Sequence, residues 1–341
     1  MTLVKAARIH YYGGWEAVKV EEISLPKLRT GELLARVHAA GVNPIDWKIR
    51  AGHLRQVMPL SLPFTLGGDF SGVVEDLRPG VANFKVGDEI YGQAPVFTGA
   101  SGSFADAVII RTTGSVAPKP RSVDHTQAGA LPLAGVSALQ ALTEHLRLSA
   151  GQTILIHGGA GGIGSIAIQL AKHLGARVAT TVSADNIEYV KGLGADTVIN
   201  YQEEDFAEKA RGMDAVFDTV GGDTYVRSYH VLKKGARIVS MLEKPRRELM
   251  TELGVEAMVQ LTRVTTERLK TLAQLVDEGV IKVHIGETFL PDQAAEAISL
   301  METGLLRGKV VLSTSVPNPV SAAESWHQPQ SPVRGEMAGR V

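Results

Sequence analysis

The sequence predicts a two-domain α/β protein, in which a small, mostly antiparallel β-barrel precedes a doubly wound parallel sheet. Short strand-like stretches with turn signals fill the first 121 residues, which is typical of a small barrel. From residue 153 onward, apolar strands alternate with helical patterns, as in a parallel sheet that is covered on both faces. The 341 residues leave room for both domains.

The barrel strands are predicted where apolar stretches lie between Gly, Pro and Asp residues. Pro118 and Pro120 mark the end of this region, after which the composition becomes rich in alanine and leucine. The predicted strands are 4–9, 18–22, 32–40, 70–75, 88–91 and 105–110.

The parallel sheet is predicted from alternating patterns in the second half of the chain. A helix over 128–146 leads into a strand at 153–157 and a helix that ends at Gly175. Further strands are predicted at 177–182, 197–201, 215–220 and 237–241, with helices at 186–193, 204–210, 223–232, 266–278 and 292–303. The strand 309–312 is predicted to return to the first domain. The predicted limits are 1–125 for the barrel, 126–265 for the parallel-sheet domain, 266–315 for the return and 316–341 for a mobile tail.

A glycine-rich turn joins the first strand of the sheet to its helix. Gly159, Gly161 and Gly164 satisfy the pattern G-x-G-x-x-G between a buried strand and a helix, with a second strand following within about thirty residues. The free N–H groups and the positive dipole end of such a helix bind a pyrophosphate. A structural turn without a ligand is the alternative, but the complete βαβ context favours a dinucleotide site.

The end of the second strand indicates which dinucleotide is bound. NAD sites place a carboxylate there to bind the ribose 2′-hydroxyl, but residues 180–183 contain none. Because a carboxylate would repel a 2′-phosphate, its absence favours NADP(H), with Ser183, Asn186 and Tyr189 as candidate phosphate ligands. Asp185 and the lack of an arginine just after the strand argue in the other direction.

Composition excludes several classes of function. The net charge of −1 gives no bulk electrostatic case for binding nucleic acid or an anionic membrane. The absence of cysteine excludes disulfides, thiolate nucleophiles and cysteine-ligated zinc, and the ten histidines show no metal-ligand spacing. No apolar run is long enough to span a bilayer, and the N-terminus lacks the apolar segment of a signal peptide. We therefore expect a cytoplasmic enzyme without a metal.

Six segments resemble the medium-chain dehydrogenase/reductase superfamily, and in particular its zinc-free quinone oxidoreductase and alkenal (enone) reductase branch. They are residues 39–48, 66–72, 85–92, 157–164, 193–201 and 308–311. The resemblance implies a GroES-like barrel and a Rossmann-type domain. Where the zinc-dependent branch has a ligand cysteine this chain has Asn43, and where that branch has Gly-His-Glu it has Gly67-Gly68-Asp69. Without zinc to hold an alkoxide, alcohol oxidation is disfavoured.

The resemblance also implies a reaction and a set of site residues. The reaction is hydride transfer from NADPH to a quinone or to the C=C bond of an α,β-unsaturated carbonyl. The catalytic candidates are Asn43, Asp46 and Lys48, although Asn43 and Asp46 could instead cap a helix that begins at Pro44, and Lys48 could be a solvated helix charge. The implied cofactor contacts are Gly161, Gly162 and Ile163 at the pyrophosphate, Ser183 and Tyr201 toward the adenosine, Leu242 after the fifth strand, and Lys309.

Two further hypotheses concern partners. The sequence shows a cofactor site but no unmistakable proton donor, so an NADPH-binding sensor or scaffold with vestigial catalysis is the alternative to the reductase. The apolar stretch 255–261 could be an edge strand that pairs across a two-fold axis, which predicts a homodimer.

Overall fold

A computed structural model describes residues 3–96 and 102–314 of the chain, so the predicted tail at 316–341 lies outside the described residues. The strands are β1 (Leu3–Ile9), β2 (Val18–Ser24), β3 (Glu32–Val42), β4 (Phe64–Thr65), β5 (Asp69–Leu77), β6 (Glu89–Gln93), β7 (Ala107–Arg111), β8 (Val116–Pro118), β9 (Thr153–His157), β10 (Arg177–Val182), β11 (Thr197–Asn200), β12 (Met213–Asp218), β13 (Leu232–Ser240), β14 (Glu256–Val259), β15 (Ile285–Phe289) and β16 (Lys309–Ser313). The α-helices are α1 (Pro44–Arg50), α2 (His125–Gly129), α3 (Pro132–Leu139), α4 (Gly162–His173), α5 (Ile187–Gly192), α6 (Phe206–Lys209), α7 (Gly222–Ser228), α8 (Arg247–Leu253), α9 (Thr266–Asp277) and α10 (Ala294–Glu302).

The N-terminal domain consists of two sheets. One has the strand order β2-β1-β4, and the other has the order β15-β16-β3-β5-β6-β8 with β7 also paired to β3. All pairs are antiparallel except β15 with β16. Strand β16 pairs with β3 in an antiparallel arrangement, in which Val310 lies opposite Val42. The second returning strand, β15, was not predicted, because most of its residues are at least partly exposed and its pattern is weak.

The second domain is a six-stranded parallel sheet with the order β11-β10-β9-β12-β13-β14. Counted from β9, this order is 3-2-1-4-5-6, the doubly wound arrangement in which ligands bind where the strand order reverses. The reversal falls between β9 and β12. The predicted fold class is therefore confirmed, and the ligand crevice is expected at the carboxyl end of β9.

The helix predicted over 128–146 is present but interrupted. The chain forms α2, breaks, restarts as α3 and ends in a wider π-helical turn over Gln140–His145. The break has a covalent cause: Pro132 lacks an N–H and cannot continue the preceding turn, so it starts α3 at the first helical position. The alanine-rich composition favours helix on both sides of this point, and Pro132 interrupts it.

The two domains meet at the glycine turn. The N–H of Gly308, just before β16, donates to the carbonyl of Ala160 at 2.8 Å, and Gly161 forms a parallel bridge with Gly308. The core that covers α3 and α4 also contains barrel residues such as Ala39 and Tyr91. The last barrel strand therefore begins directly against the turn that is expected to hold a cofactor.

No helix within residues 3–96 and 102–314 is both long and apolar enough to cross a membrane.

Candidate active site

The glycine turn leaves an open helix N-terminus at the crevice. A Cβ on Gly164 would lie 2.2 Å from the Gly158 carbonyl oxygen, and one on Gly159 would lie 2.1 Å from Thr180 Oγ1, so neither position admits a side chain. A Cβ on Gly161, the residue that caps α4, would approach only the Gly158 carbonyl, at 3.4 Å. Tight packing below the turn and open space at its tip are the conditions for backbone N–H groups to approach a phosphate. Gly162 and Ile163 follow as the first two residues of α4.

A cluster of polar side chains follows the end of β10. Asn186 Nδ2 donates to Ser183 Oγ at 2.9 Å, and Asn186 Oδ1 accepts from Arg307 Nε at 2.7 Å. Arg307 Nη2 also donates to the Asp185 carbonyl at 2.7 Å, and its guanidinium lies 5.2 Å from the centre of the Tyr189 ring. The three predicted residues Ser183, Asn186 and Tyr189 are thus brought together around an arginine.

Arg307 was missed in the sequence, which has no arginine just after β10. The structure brings one from the segment before β16, 121 residues further along the chain than Asn186. Arg307 uses Nε and Nη2 in the contacts described, and a guanidinium has five donors, so it retains capacity for an anion. The signal that could have identified it is its position directly before Gly308-Lys309, a segment already matched to the family.

Two other predicted cofactor contacts lie on the rim. Tyr201 follows β11 and is 58% exposed, so it does not fill packing space in the core. Leu242 follows β13 and is 47% exposed, and a Cβ on Gly221 would contact its side chain. Both side chains are accessible to a ligand that lies along the carboxyl edge of the sheet.

The barrel wall of the crevice contains a buried cluster, which we call the Lys309 cluster: Asn43, Asp46, Asp69 and Lys309. Lys309 Nζ donates to Asn43 Oδ1 at 2.5 Å and to the Val42 carbonyl at 3.2 Å. Asn43 Nδ2 donates to Asp69 Oδ2 at 2.9 Å, and the Asn43 N–H donates to Asp46 Oδ2 at 2.7 Å. All four side chains belong to residues that are less than 5% exposed.

Asn43 and Asp46 take part both in the start of α1 and in the Lys309 cluster. Asp46 is the third residue of α1 and accepts the Asn43 N–H, as an acidic residue does in a capping box. The Asn43 side chain connects Lys309 to Asp69 and so carries a polar link across the barrel wall. Capping and a place in the site are therefore compatible.

Burial dominates the electrostatics of the Lys309 cluster. Desolvation raises the pKa of the Asp46 carboxyl to about 7, against the hydrogen bond from the Asn43 N–H, which lowers it. Desolvation also raises the pKa of Asp69 to about 6, although the Lys309 ammonium opposes this. Burial lowers the pKa of Lys309, and both carboxylates counteract that shift. The Lys309 ammonium is thus the positive charge that acts on both buried carboxyl groups.

Lys48, the third catalytic candidate, lies outside the Lys309 cluster. Its ammonium lies 5.6 Å from the centre of the Trp47 ring, and Trp47 in turn packs edge-on against His53. The structure therefore brings Asn43 and Asp46 together with Asp69 and Lys309, but it does not bring Lys48 to them. Asp69 was noted in the sequence only as a departure from the zinc-dependent pattern.

Comparison with known proteins identifies the family. The alcohol dehydrogenase GroES-like domain model matches residues 29–121, and the zinc-binding dehydrogenase model matches residues 193–312. The 2-methylene-furan-3-one reductase of Solanum lycopersicum is 35% identical over 88% of this chain and 76% of its own length. The chloroplastic NADPH-dependent alkenal/one oxidoreductase of Arabidopsis thaliana is 33% identical over 88% of this chain and 77% of its own length. The chain belongs to the medium-chain dehydrogenase/reductase superfamily.

A solved structure places the chain more closely within this superfamily. The quinone oxidoreductase from Coxiella burnetii has 36% sequence identity and a TM-score of 0.84, covering 92% of this chain and 99% of that one. The resemblance seen in the sequence, to the quinone oxidoreductase and alkenal reductase branch, is confirmed. The GroES-like barrel and Rossmann-type domain are confirmed with it.

The residues at the barrel wall do not fit zinc, although one matching domain model is named for it. Zinc sites in proteins use thiolate, imidazole and carboxylate ligands. Here Asn43 and Asp69 are hydrogen-bonded to each other, and the Asn43 oxygen accepts from an ammonium. A second cation beside Lys309 would be repelled, and no group of three or more His, Cys, Asp or Glu in the described ranges is arranged to hold a metal.

Proposed function

We propose that this protein is an NADPH-dependent reductase that transfers hydride to a quinone or to the C=C bond of an α,β-unsaturated carbonyl, without zinc. The observation that carries the proposal is the open N-terminus of α4, with Arg307 on one side and the Lys309 cluster on the other. One side offers a site for a phosphate-bearing ribose, and the other is a polar wall that contains Asn43, Asp69 and Lys309. The names of the relatives support both the cofactor and the acceptor classes.

The residues present fit NADPH as the cofactor. The N–H groups at Gly162 and Ile163 would hold the pyrophosphate, and Arg307 with Asn186 and Ser183 would hold the 2′-phosphate. Tyr189 would support this group, because the Arg307 guanidinium lies 5.2 Å from the centre of its ring. The bound cofactor would supply the hydride, while the chain orients the acceptor and excludes water.

The acceptor gains a hydride and then a proton. For an enone, the hydride adds to the β-carbon and the resulting enolate takes a proton at the α-carbon from water. For a quinone, hydride and proton together give the hydroquinone. Water supplies the proton in this proposal, because Lys309 and Asn43 are buried within the Lys309 cluster.

The test is a direct assay. NADPH oxidation is followed at the absorbance band of the reduced nicotinamide, with a panel of simple quinones and enones, and the products are identified by NMR. We expect turnover with at least one class and a saturated carbonyl or hydroquinone product. Dialysis against a chelator such as 1,10-phenanthroline should leave the rate unchanged. Absence of turnover across the panel would contradict the proposal, as would loss of activity that added zinc restores.

The sensor or scaffold hypothesis makes the opposite prediction for the same assay. It expects NADPH to bind without any acceptor being reduced, and binding is measured by fluorescence of the bound nucleotide. The named activities of the relatives favour the enzyme. A homodimer and a cytoplasmic location stay predictions, and relatives of this chain include chloroplastic and mitochondrial proteins.

A further inference from the structure

Lys309 has an unusual environment for a lysine. It is 4% exposed, lies at the start of β16, and directs its ammonium toward the barrel wall. Two neutral oxygens accept from the ammonium, those of Asn43 and Val42. The charges that act on it come from Asp46 on α1 and Asp69 on β5. A buried ammonium is tolerated only where it is paired and hydrogen-bonded, so these groups must be retained together.

The stem of Lys309 also lies beside the glycine turn. A Cβ on Gly162 would be 2.6 Å from Lys309 Cδ, so the stem passes directly alongside the first residue of α4. The neighbouring Gly308 is hydrogen-bonded to Ala160 in the same turn. One side chain therefore connects the turn of the Rossmann-type domain to the Asn43 amide of the barrel.

We propose that Lys309 is a positioning residue whose ammonium is the fixed internal cation of the crevice. It holds the Asn43 amide and balances Asp69 and Asp46, in the place where the zinc-dependent branch has its metal ligands. By doing so, it fixes the barrel wall against the glycine turn. This inference rests on the proposed function for its purpose, because the wall it fixes is that of the hydride-transfer site.

The alternative is that Lys309 acts only through its stem, as packing against Gly162. Methionine has a similar length and no charge, so Lys309→Met keeps the packing and removes the cation. If the charge matters, this variant leaves two buried carboxyl groups without a counter-charge, and neutralising one of them should compensate. A comparison of the single variant Lys309→Met with the double variant Asp69→Asn/Lys309→Met therefore separates the effect of the charge from the effect of packing.

The measurements are the unfolding temperature at pH 5.5 and pH 8, and the dissociation constant for NADPH at pH 8. For Lys309→Met we expect the unfolding temperature to fall by roughly 5–10 °C at pH 8 and by less at pH 5.5, where the carboxyl groups can bind protons. We expect NADPH affinity to weaken about tenfold or more, and the double variant to recover most of both losses. Lys270→Met, which removes an exposed lysine from α9, is the matched control and should change neither.

The outcomes are decisive in both directions. If Lys309→Met matches the wild type at both pH values and binds NADPH equally well, Lys309 is only packing and the inference is overturned. It is also overturned if the double variant is no better than the single one. Should Lys309→Met fail to fold, recovery of folding in the double variant still supports the inference. None of these measurements needs an acceptor, so a failure of the proposed reductase activity would be recognised separately.

Discussion

Asp46 is the residue whose ionisation should be most visible in the stability of the protein. Because the pKa of its carboxyl is raised from 3.8 to about 7, the folded state holds a proton that the unfolded state has lost between these pH values. Stability therefore falls as the pH rises through this window, by up to about 1.4 kcal/mol per pH unit. Asp46→Asn removes this dependence, so its stability relative to the wild type should rise steadily from pH 5 to pH 7.

The measurement is the free energy of unfolding in urea at several pH values. Asp223→Asn provides the control, because it makes the same change at a side chain that is 81% exposed. A difference between Asp46→Asn and wild type that does not change with pH would show that Asp46 is ionised throughout the window. The geometry of the Lys309 cluster would then need a different electrostatic explanation.

Arg307 should determine the preference for NADPH over NADH. Its guanidinium is held by Asn186 and by the Asp185 carbonyl, and charge-assisted hydrogen bonds to a phosphate contribute about 1.5–3 kcal/mol. Arg307→Ala should therefore weaken NADPH binding by roughly 10- to 100-fold while NADH binding changes little. Lysine keeps the positive charge but lacks the paired N–H donors of the guanidinium. The NADPH affinity of Arg307→Lys should therefore lie between those of the wild type and Arg307→Ala.

Dissociation constants for both nucleotides, measured by fluorescence, check this prediction. Arg211→Ala, at an exposed arginine just before β12, serves as the control and should leave both values unchanged. Equal losses for NADPH and NADH in Arg307→Ala would mean that the arginine supports the loop and does not read the 2′-phosphate.

Gly161 and Gly164 should respond differently to the same substitution. In Gly164→Ala the new methyl group would meet the Gly158 carbonyl oxygen at 2.2 Å, and backbone cannot move aside cheaply, so we expect a loss of several kcal/mol of stability. In Gly161→Ala the methyl group enters open space at the tip of the turn, so the protein should fold normally but lose most of its NADPH affinity. Thermal unfolding and nucleotide titration of both variants test this, and normal NADPH binding by Gly161→Ala would place the pyrophosphate elsewhere.

At the scale of elements, local patterns predicted most of what the structure shows. The strand-turn-helix unit from β9 to β10 was predictable because five glycines between a buried strand and an amphipathic helix leave few other conformations. Helix α8 was missed because it has only seven residues and its apolar residues, Leu249, Met250 and Leu253, are only partly buried. The break between α2 and α3 was missed for a different reason. The surrounding composition favours helix, and a single residue, Pro132, interrupts it.

The site was predicted only where its residues are local in sequence or match the family. Asn43 and Asp46 are three residues apart, and Ser183 and Asn186 are likewise close. Arg307 could not be placed from the residues alone, because its contact with Asn186 depends on how β16 returns to the barrel. The direction of the Lys309 ammonium, into the barrel wall, likewise depends on tertiary packing.

At the scale of the whole molecule, the chain crosses between the domains twice, and the second crossing builds the site. The segment Arg307-Gly308-Lys309 contacts the end of β10, the glycine turn and the barrel wall in three successive residues. These contacts connect the cofactor face to the barrel wall through three consecutive residues. A substitution of Arg307 or Lys309 is therefore expected to alter the crevice, although neither side chain needs to contact the acceptor.

The exposed edge of the parallel sheet predicts how two copies would associate. Strand β14 pairs with β13 on one side and ends the sheet. Met258 on this strand is 42% exposed, and Leu261, two residues after its end, is 81% exposed. An isologous pairing of this edge would bury both side chains against their own copies across a two-fold axis. The double variant Met258→Lys/Leu261→Lys would bring like charges together there and should dissociate the dimer.

Light scattering over a range of concentrations should then give a dimer for the wild type and for the control Val86→Lys, which alters a side chain that is 61% exposed on the barrel. A monomeric wild type, or a dimer that survives the double variant, would exclude this edge as the interface.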